Sequence, residues 1–174
     1  VLNHVEMDGF NALKNDNQVA DKDGYDNDSY HLSYTTPEWQ GWSATLSARE
    51  VDARTDYDSC GRFDENFSFI SSNDCSDGYN NETRGVVVRH EGENQSTQIR
   101  MSKSDSDRAY FTDGLFQFAL LGSNEQISLS HNRSLTDSYD LTVGFDQDEQ
   151  SYDDGFGTAR SRGNDAMFLN IRRL

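Results

Sequence analysis

The segment from Val51 to Asn81, VDARTDYDSCGRFDENFSFISSNDCSDGYNN, holds both cysteines of the chain and many of its acidic residues. It shows almost no alternation of apolar and polar side chains, whereas the segments that enter and leave it do alternate. Alternation over four to eight residues is typical of strands with one apolar and one polar face. The sequence therefore predicts a long exposed loop on a β scaffold.

Cys60 and Cys75 have fourteen residues between them, rich in Asp, Asn, Ser and Gly. A disulfide across a loop of this size contributes about 3 kcal/mol through loop entropy, and such bonds persist in oxidising compartments. The alternative is two free buried thiols. Because neither cysteine lies in an apolar run, the sequence favours the disulfide.

The segment from Trp42 to Arg49 shows the alternation most clearly, with Ala44, Leu46 and Ala48 on one face and hydroxyl side chains on the other. The same pattern recurs later in the chain. The predicted order is a loop over 1–29, strands and short turns over 30–50, a disulfide loop over 51–83, strands over 84–104, a loop over 105–124, strands over 125–150, a loop over 151–164 and a strand over 165–174. This gives about seven strands in one domain, residues 1–174.

Short and long connections alternate along this predicted order. The short ones follow Tyr34, Glu91 and Asn132, and the long ones follow Asp52, Lys103 and Gln150. Bacterial outer-membrane barrels have short periplasmic turns and longer outer loops. We therefore predict an all-β fold, an antiparallel up-and-down segment of a transmembrane β-barrel with long extracellular loops, located in the cell outer membrane.

The charge balance limits the partners of this chain. It has 31 acidic and 15 basic residues, a formal net charge of -16. Nucleic-acid binding requires clustered Lys and Arg, so nucleic acid is excluded as a partner and cations are favoured. His4, His31, His90 and His131 are scattered, without a nucleophile elbow or metal-ligand spacing, so we do not expect an enzyme.

The acidic stretch Asp21 to Asp28 has four carboxylates within eight residues, with Gly24 allowing a tight turn. Calcium takes six to eight hard oxygen ligands, so this stretch is a candidate calcium loop. The alternative is a solvated acidic loop, because the full spacing of an EF-hand is absent.

Several segments resemble the barrel of TonB-dependent outer-membrane transporters, most closely the cobalamin-receptor type. They are HVEMDGFNALKNDNQVADKDGYDND, GWSATLSAREVDARTDYDS, YDLTVGFDQDEQSYDD and GNDAMFLNIRRL. The resemblance implies about seven strands from the first half of a larger barrel, without the plug domain. It implies uptake of a scarce small-molecule ligand, cobalamin-like or a metal chelate.

The resemblance also implies calcium-ordered outer loops. On that basis the metal residues would be Asp21, Asp23, Asp52 and, in the VDARTDYD motif, Asp58 or Asp56. The implied partners are the small-molecule ligand, outer-membrane lipids, the TonB system through regions outside this chain, and a surface lipoprotein.

A second class of protein fits the same residues. A secreted or surface β-sandwich could bind glycan through calcium, using the acidic loops for the ion and Trp39, Trp42 and tyrosines for stacking on sugars. The barrel interpretation instead assigns the two tryptophans to an interfacial aromatic girdle. Dependence on detergent distinguishes the two classes.

Overall fold

A computed structural model of the chain describes residues 1–9, 23–157 and 159–173, and in these ranges the fold is all-β. The strands are β1 (Leu2–Met7), β2 (Tyr25–Thr35), β3 (Trp42–Tyr57), β4 (Cys60–Phe63), β5 (Phe69–Ser72), β6 (Cys75–Gly92), β7 (Gln95–Thr112), β8 (Leu115–Thr136), β9 (Tyr139–Asp153) and β10 (Arg160–Arg173).

Eight of these strands form one antiparallel sheet in the order β1-β2-β3-β6-β7-β8-β9-β10. Each strand pairs with the next one along the chain, except that the β4–β5 hairpin is inserted between β3 and β6 as a separate two-stranded sheet. The predicted up-and-down antiparallel class is therefore confirmed. The sheet is open, because within the described residues β1 and β10 are each paired along one edge only.

The main sheet is a single layer with very little buried apolar surface. Among the described residues the buried hydrophobic side chains are Ala53 and Cys75, and both lie toward the end of the sheet next to the β4–β5 hairpin. Large apolar side chains elsewhere are exposed or half-buried. No helix in the described ranges has the length and hydropathy needed to cross a membrane.

The long loops predicted from the sequence are mostly strand. The predicted loop 1–29 contains β1 and the start of β2. The predicted loop 51–83 is shorter than expected because β3 continues into it and β6 begins within it. The predicted loop 151–164 is likewise shortened by the end of β9 and the start of β10. The strand count in the main sheet is eight rather than about seven. These boundaries were wrong because the strand ends carry few apolar side chains and give only a weak alternating signal.

The predicted loop 105–124 is also wrong, since only a two-residue turn separates β7 from β8. Asp113 and Gly114 both have positive φ, 53° and 70°. An Asp-Gly pair with positive φ at both residues is the preferred two-residue hairpin turn, because its twist matches that of the flanking strands. This dipeptide is the signal in the sequence from which the turn was predictable.

Pairs of polar side chains hold the strand ends together. Ser123 Oγ donates to Asp105 Oδ1 at 2.6 Å, and Asn81 Nδ2 donates to Ser104 Oγ at 3.1 Å. Cross-strand pairs of this kind stabilise a sheet without apolar contact. The strands therefore continue well beyond the segments in which their hydrophobicity alternates.

Candidate functional site

Directly opposite residues of antiparallel strands lie on the same face of a sheet, so the pairing register assigns every strand residue to a face. On one face the register collects apolar side chains from all eight strands. We call this set the apolar band and its side of the sheet the band face: Leu2, Tyr30, Leu32, Tyr34, Trp42, Ala44, Leu46, Ala48, Val86, Val88, Ile99, Met101, Ile127, Leu129, Leu141, Val143, Phe145, Met167, Leu169 and Ile171.

The apolar band is exposed rather than packed against another layer. Leu32 is 72% exposed, Leu169 is 68% exposed and Met167 is 84% exposed. Soluble monomers rarely leave a continuous apolar area of this kind uncovered. The band face therefore requires a covering that the described part of the chain does not supply.

The apolar band runs obliquely to the hydrogen-bonded rows. The row that contains Leu32 in β2 reaches Gly163 in β10, whereas the centre of the band in β10 is Leu169, six residues further along. At about 3.4 Å per residue and about 4.8 Å for each of the six steps between strands, this is about 20 Å along the strands over about 29 Å across them. The band is thus inclined by about 35° to the rows.

Aromatic rings lie at one edge of the apolar band, next to the short connections. Trp42 and His90 are directly opposite, with ring centroids 4.6 Å apart, and Trp39 is bridged to Trp42. Tyr139 occupies the same edge at the start of β9. Each of Trp39, Trp42 and Tyr139 is exposed, so the rings face the same surroundings as the band.

The opposite side of the sheet, which we call the polar face, carries polar side chains directly behind the apolar band. Behind Ile99 and Leu129 lie Gln98, Arg100 and Ser130. Farther along, Ser102, Ser104 and Ser106 of β7 follow one another on this face. Small and charged side chains are what a water-filled surface accommodates.

Beyond the apolar band the strands continue toward the β4–β5 hairpin, and we call this part the distal extension (50–57, 75–82, 105–112 and 115–123). It contains the most buried polar residues. Asp77, with a 6% exposed side chain, accepts a hydrogen bond from Arg108 Nε at 2.6 Å. Burial, followed by the neighbouring charge of Asp77, raises the pKa of Tyr57.

The disulfide between Cys60 and Cys75 is confirmed, with the two Cα atoms 6.0 Å apart. It ties the start of β4 to the start of β6. Asp113, in the turn of the neighbouring hairpin, accepts hydrogen bonds from Ser72 Oγ at 2.6 Å and from Arg62 Nε at 3.5 Å. The β4–β5 hairpin is therefore fixed to the distal end of the sheet by the disulfide and by polar contacts with Asp113 and Thr112.

The structure separates the residues assigned to calcium. Asp21 lies outside the described residues. Asp23 and Asp58 lie at the distal end, beyond the hydrogen bond from the Asp56 amide to the Gly24 carbonyl. Asp52 lies within β3, and the strand from Asp52 to Tyr57 spans about 17 Å at 3.3 Å per residue. Asp52 and Asp58 are too far apart to bind one ion.

Asp52 lies directly opposite Asp28, and Asp28 lies directly opposite His4. His4, Asp26 and Asp28 place one ligand atom each within 4.8 Å of one another, and His4 Nδ1 lies 2.9 Å from Asp28 Oδ1. The hydrogen bond with Asp28 raises the pKa of His4.

This cluster was not predicted from the sequence, because His4 was assigned to a loop. The alternation in the segment Leu2–Met7, in which His4 and Glu6 share a face, is the signal that identifies β1. Comparison with protein-family models and with curated proteins gives no match to this chain.

Proposed function

We propose that this chain is a membrane-spanning part of an outer-membrane receptor of the TonB-dependent type, which takes up a scarce small-molecule ligand. The observation that supports it most strongly is the inclined apolar band. Strands of outer-membrane barrels alternate apolar-out and polar-in and tilt by about 35–45°. The inclination of about 35° measured between the band and the rows agrees with that tilt.

The band face would contact lipid, and the polar face would line the aqueous interior. The aromatic edge of the band fits an interfacial girdle at the end with short connections. The acidic distal extension would project from the membrane on the outer side. In this orientation a channel interior formed by Arg100, Gln98 and Ser130 is polar, as expected for a lumen.

Both edges of the sheet would need partners in a membrane. In a bilayer an unpaired strand edge leaves backbone groups without hydrogen bonds, and each such group costs several kcal/mol. Barrels remove their edges by closing. We therefore propose that further strands complete the barrel, and that the plug and the contact with TonB are supplied by regions outside this chain.

The glycan-binding sandwich finds less support in the arrangement of the strands. A sandwich packs two sheets face to face, about 10 Å apart. The eight strands of the main sheet lie in one layer, and the small β4–β5 sheet contacts it at the distal ends of β6 and β7. The apolar band therefore has no second sheet against it within the described ranges.

Calcium at the distal end is a second part of the proposal. Asp23 and Asp58 both lie near the distal ends of β2 and β3, whereas Asp52 lies about 17 Å along β3 from Tyr57, so we propose the distal pair as calcium ligands. We expect calcium to raise the melting temperature of the chain in detergent relative to excess chelator, and Asp58→Asn to reduce that increase. Asp52→Asn is the matched control and should leave it unchanged. An equal calcium-dependent increase in melting temperature in the two variants would contradict a calcium site at the distal end.

Membrane residence is tested by fractionation. The chain, expressed with its native flanking sequence and a secretion signal in a Gram-negative host, should sediment with outer membranes, resist extraction by carbonate, and need detergent to remain in solution. A folded monomer that is soluble without detergent would overturn the proposal. Besides lipid, the proposed partners are the small-molecule ligand and a surface lipoprotein. Both require that the chain resides in the outer membrane, which this experiment tests first.

A further inference from the structure

The two faces of the sheet carry opposite charge. Among the described strand residues, the band face has thirteen carboxylates and five Lys or Arg side chains, and the polar face has five carboxylates and seven arginines. The polar-face arginines are Arg49, Arg89, Arg100, Arg108, Arg160, Arg162 and Arg172. The formal net charge of -16 thus conceals a polar face with more basic than acidic side chains.

The difference in charge between the two faces also appears in two grooves formed over the same strands. A groove of about 570 Å³ that opens mainly on the band face is lined by Glu82, Asp105, Asp107 and Asp153 among others. A groove of about 440 Å³, lined mostly by polar-face residues, has Arg160 and Arg162 in its lining and no carboxylate among the described residues that form it. In so acidic a chain, a groove lined by two arginines and no acid favours an anion.

The groove that contains Arg160 and Arg162, which we call the basic groove, has these two arginines on one side. Its floor is formed by Tyr152, Gly122 and the serines of β7. Tyr152 lies directly opposite both Arg160 and Gly122, and Gly122 lies opposite Ser106. A Cβ added at Gly122 would come within 2.8 Å of Ser106 Oγ, so the missing side chain keeps the floor low. Ser104 and Ser106 add hydroxyl groups to the lining.

Arg160 and Arg162 are both exposed and lie two residues apart on one face, so their Cα atoms are about 7 Å apart. Neither forms an ion pair with any residue in the described ranges, so both guanidinium groups are available to a ligand. Two neighbouring guanidinium groups without carboxylate partners can bind the oxygens of one anion in a bidentate manner.

We propose that the basic groove binds a small solute bearing carboxylate or phosphate groups, held by Arg160 and Arg162 against Tyr152 and the serine floor. This inference rests on the proposed function, in which the polar face lines the interior, and it names the class of the ligand as anionic. It is independent of the calcium residues, which lie at the other edge of the sheet.

The test is calorimetric titration of citrate and, separately, inorganic phosphate into the full chain in a neutral maltoside detergent at low salt. Sucrose serves as the uncharged probe. The double variant R160Q/R162Q should raise the Kd by about tenfold or more, the effect of losing charge-assisted hydrogen bonds. The double variant R133Q/R173Q removes two arginines from the band face of the same sheet and should leave the Kd unchanged. Circular dichroism verifies that both variants retain their strands.

Stronger binding of citrate than of phosphate would assign a carboxylate ligand, and the reverse would assign a phosphate. Equal loss of affinity in both double variants would show that only total charge matters and would overturn the inference. No binding of either anion, or equal binding of sucrose, would overturn it as well. Because the titration also works in plain buffer, a chain that needs no detergent would refute the membrane proposal while leaving the anion groove separately testable.

Discussion

The half of the strands that carries the apolar band and the half that forms the distal extension are held together by different forces. In the apolar band, side chains such as Leu129 and Ile99 alternate with polar ones and face their surroundings uncovered. In the distal extension, polar side chains are mixed with aromatic ones such as Phe118, which stacks on Tyr110, and burial is limited to a small region around Cys75, Asp77 and Thr112. Backbone pairing is continuous through both halves. One half therefore needs an apolar solvent, while the other is held by polar pairs, aromatic contacts and a disulfide.

Charge placed on the two faces of the band should give the largest difference. Leu129→Arg puts a cation on the band face, where a cation near the bilayer midplane costs about 2–4 kcal/mol. Ser130→Arg puts the same charge on the polar face of the adjacent residue and should cost little. Urea unfolding of both variants in lipid vesicles gives the comparison. Equal destabilisation would contradict the assignment of the faces.

Loss of the disulfide should affect only the distal extension. Removing a cross-link over a loop of this size costs about 3 kcal/mol in the loop-entropy model. We expect the Cys60→Ser/Cys75→Ser variant to expose the β4–β5 hairpin to protease while its partition into lipid vesicles stays unchanged. Reduced partition would show that the two halves do not act separately.

The ion pair between the buried Asp77 and the half-exposed Arg108 in the distal extension comes next. Asp77→Ala leaves Arg108 without its carboxylate partner and should destabilise the extension by about 1–3 kcal/mol. Asp107→Ala is the control, because Asp107 is exposed on the band face of the neighbouring strand. Hydrogen exchange of β6 and β7 amides measures both effects. A larger effect of Asp107→Ala would contradict the burial pattern.

The smallest expected effect is the pH dependence of the stability of the β1–β2 pairing. The residues concerned, His4 and Asp28, lie outside the apolar band. The pKa of His4 is raised above 6.5 by its hydrogen bond with Asp28. The pairing of β1 with β2 should therefore gain stability below that value and lose it as pH rises through the folded-state pKa. Hydrogen exchange of β1 amides against pH measures it, and Asp28→Asn should abolish most of the dependence. A β1 edge that becomes more stable with rising pH would contradict the sign.

Alternation identified the strands wherever one face was apolar, as in the segments around Leu46, Ile99, Val143 and Leu169. It failed in the distal parts of β6 and β7, where polar residues face one another across the strands; Asp105, for example, lies opposite Glu82 on one side and Ser123 on the other. The disulfide was predictable because its two cysteines have no other partner in the sequence.

The candidate sites depended on register, which single segments do not reveal. Asp52 and Asp58 are close in sequence but separated by an extended strand, whereas His4 and Asp28 are distant in sequence and directly opposite. The grouping of Arg160, Tyr152 and Gly122 likewise appears only when β8, β9 and β10 are aligned.

The accessibility of four consecutive residues of β8 tests the central claim most directly. Nitroxide spin labels placed one at a time at Ile127, Ser128, Leu129 and Ser130, in lipid vesicles, report collisions with oxygen in the bilayer or with a water-soluble nickel complex. We predict oxygen contact at Ile127 and Leu129 and nickel contact at Ser128 and Ser130. Nickel access at all four positions would contradict a lipid-facing band.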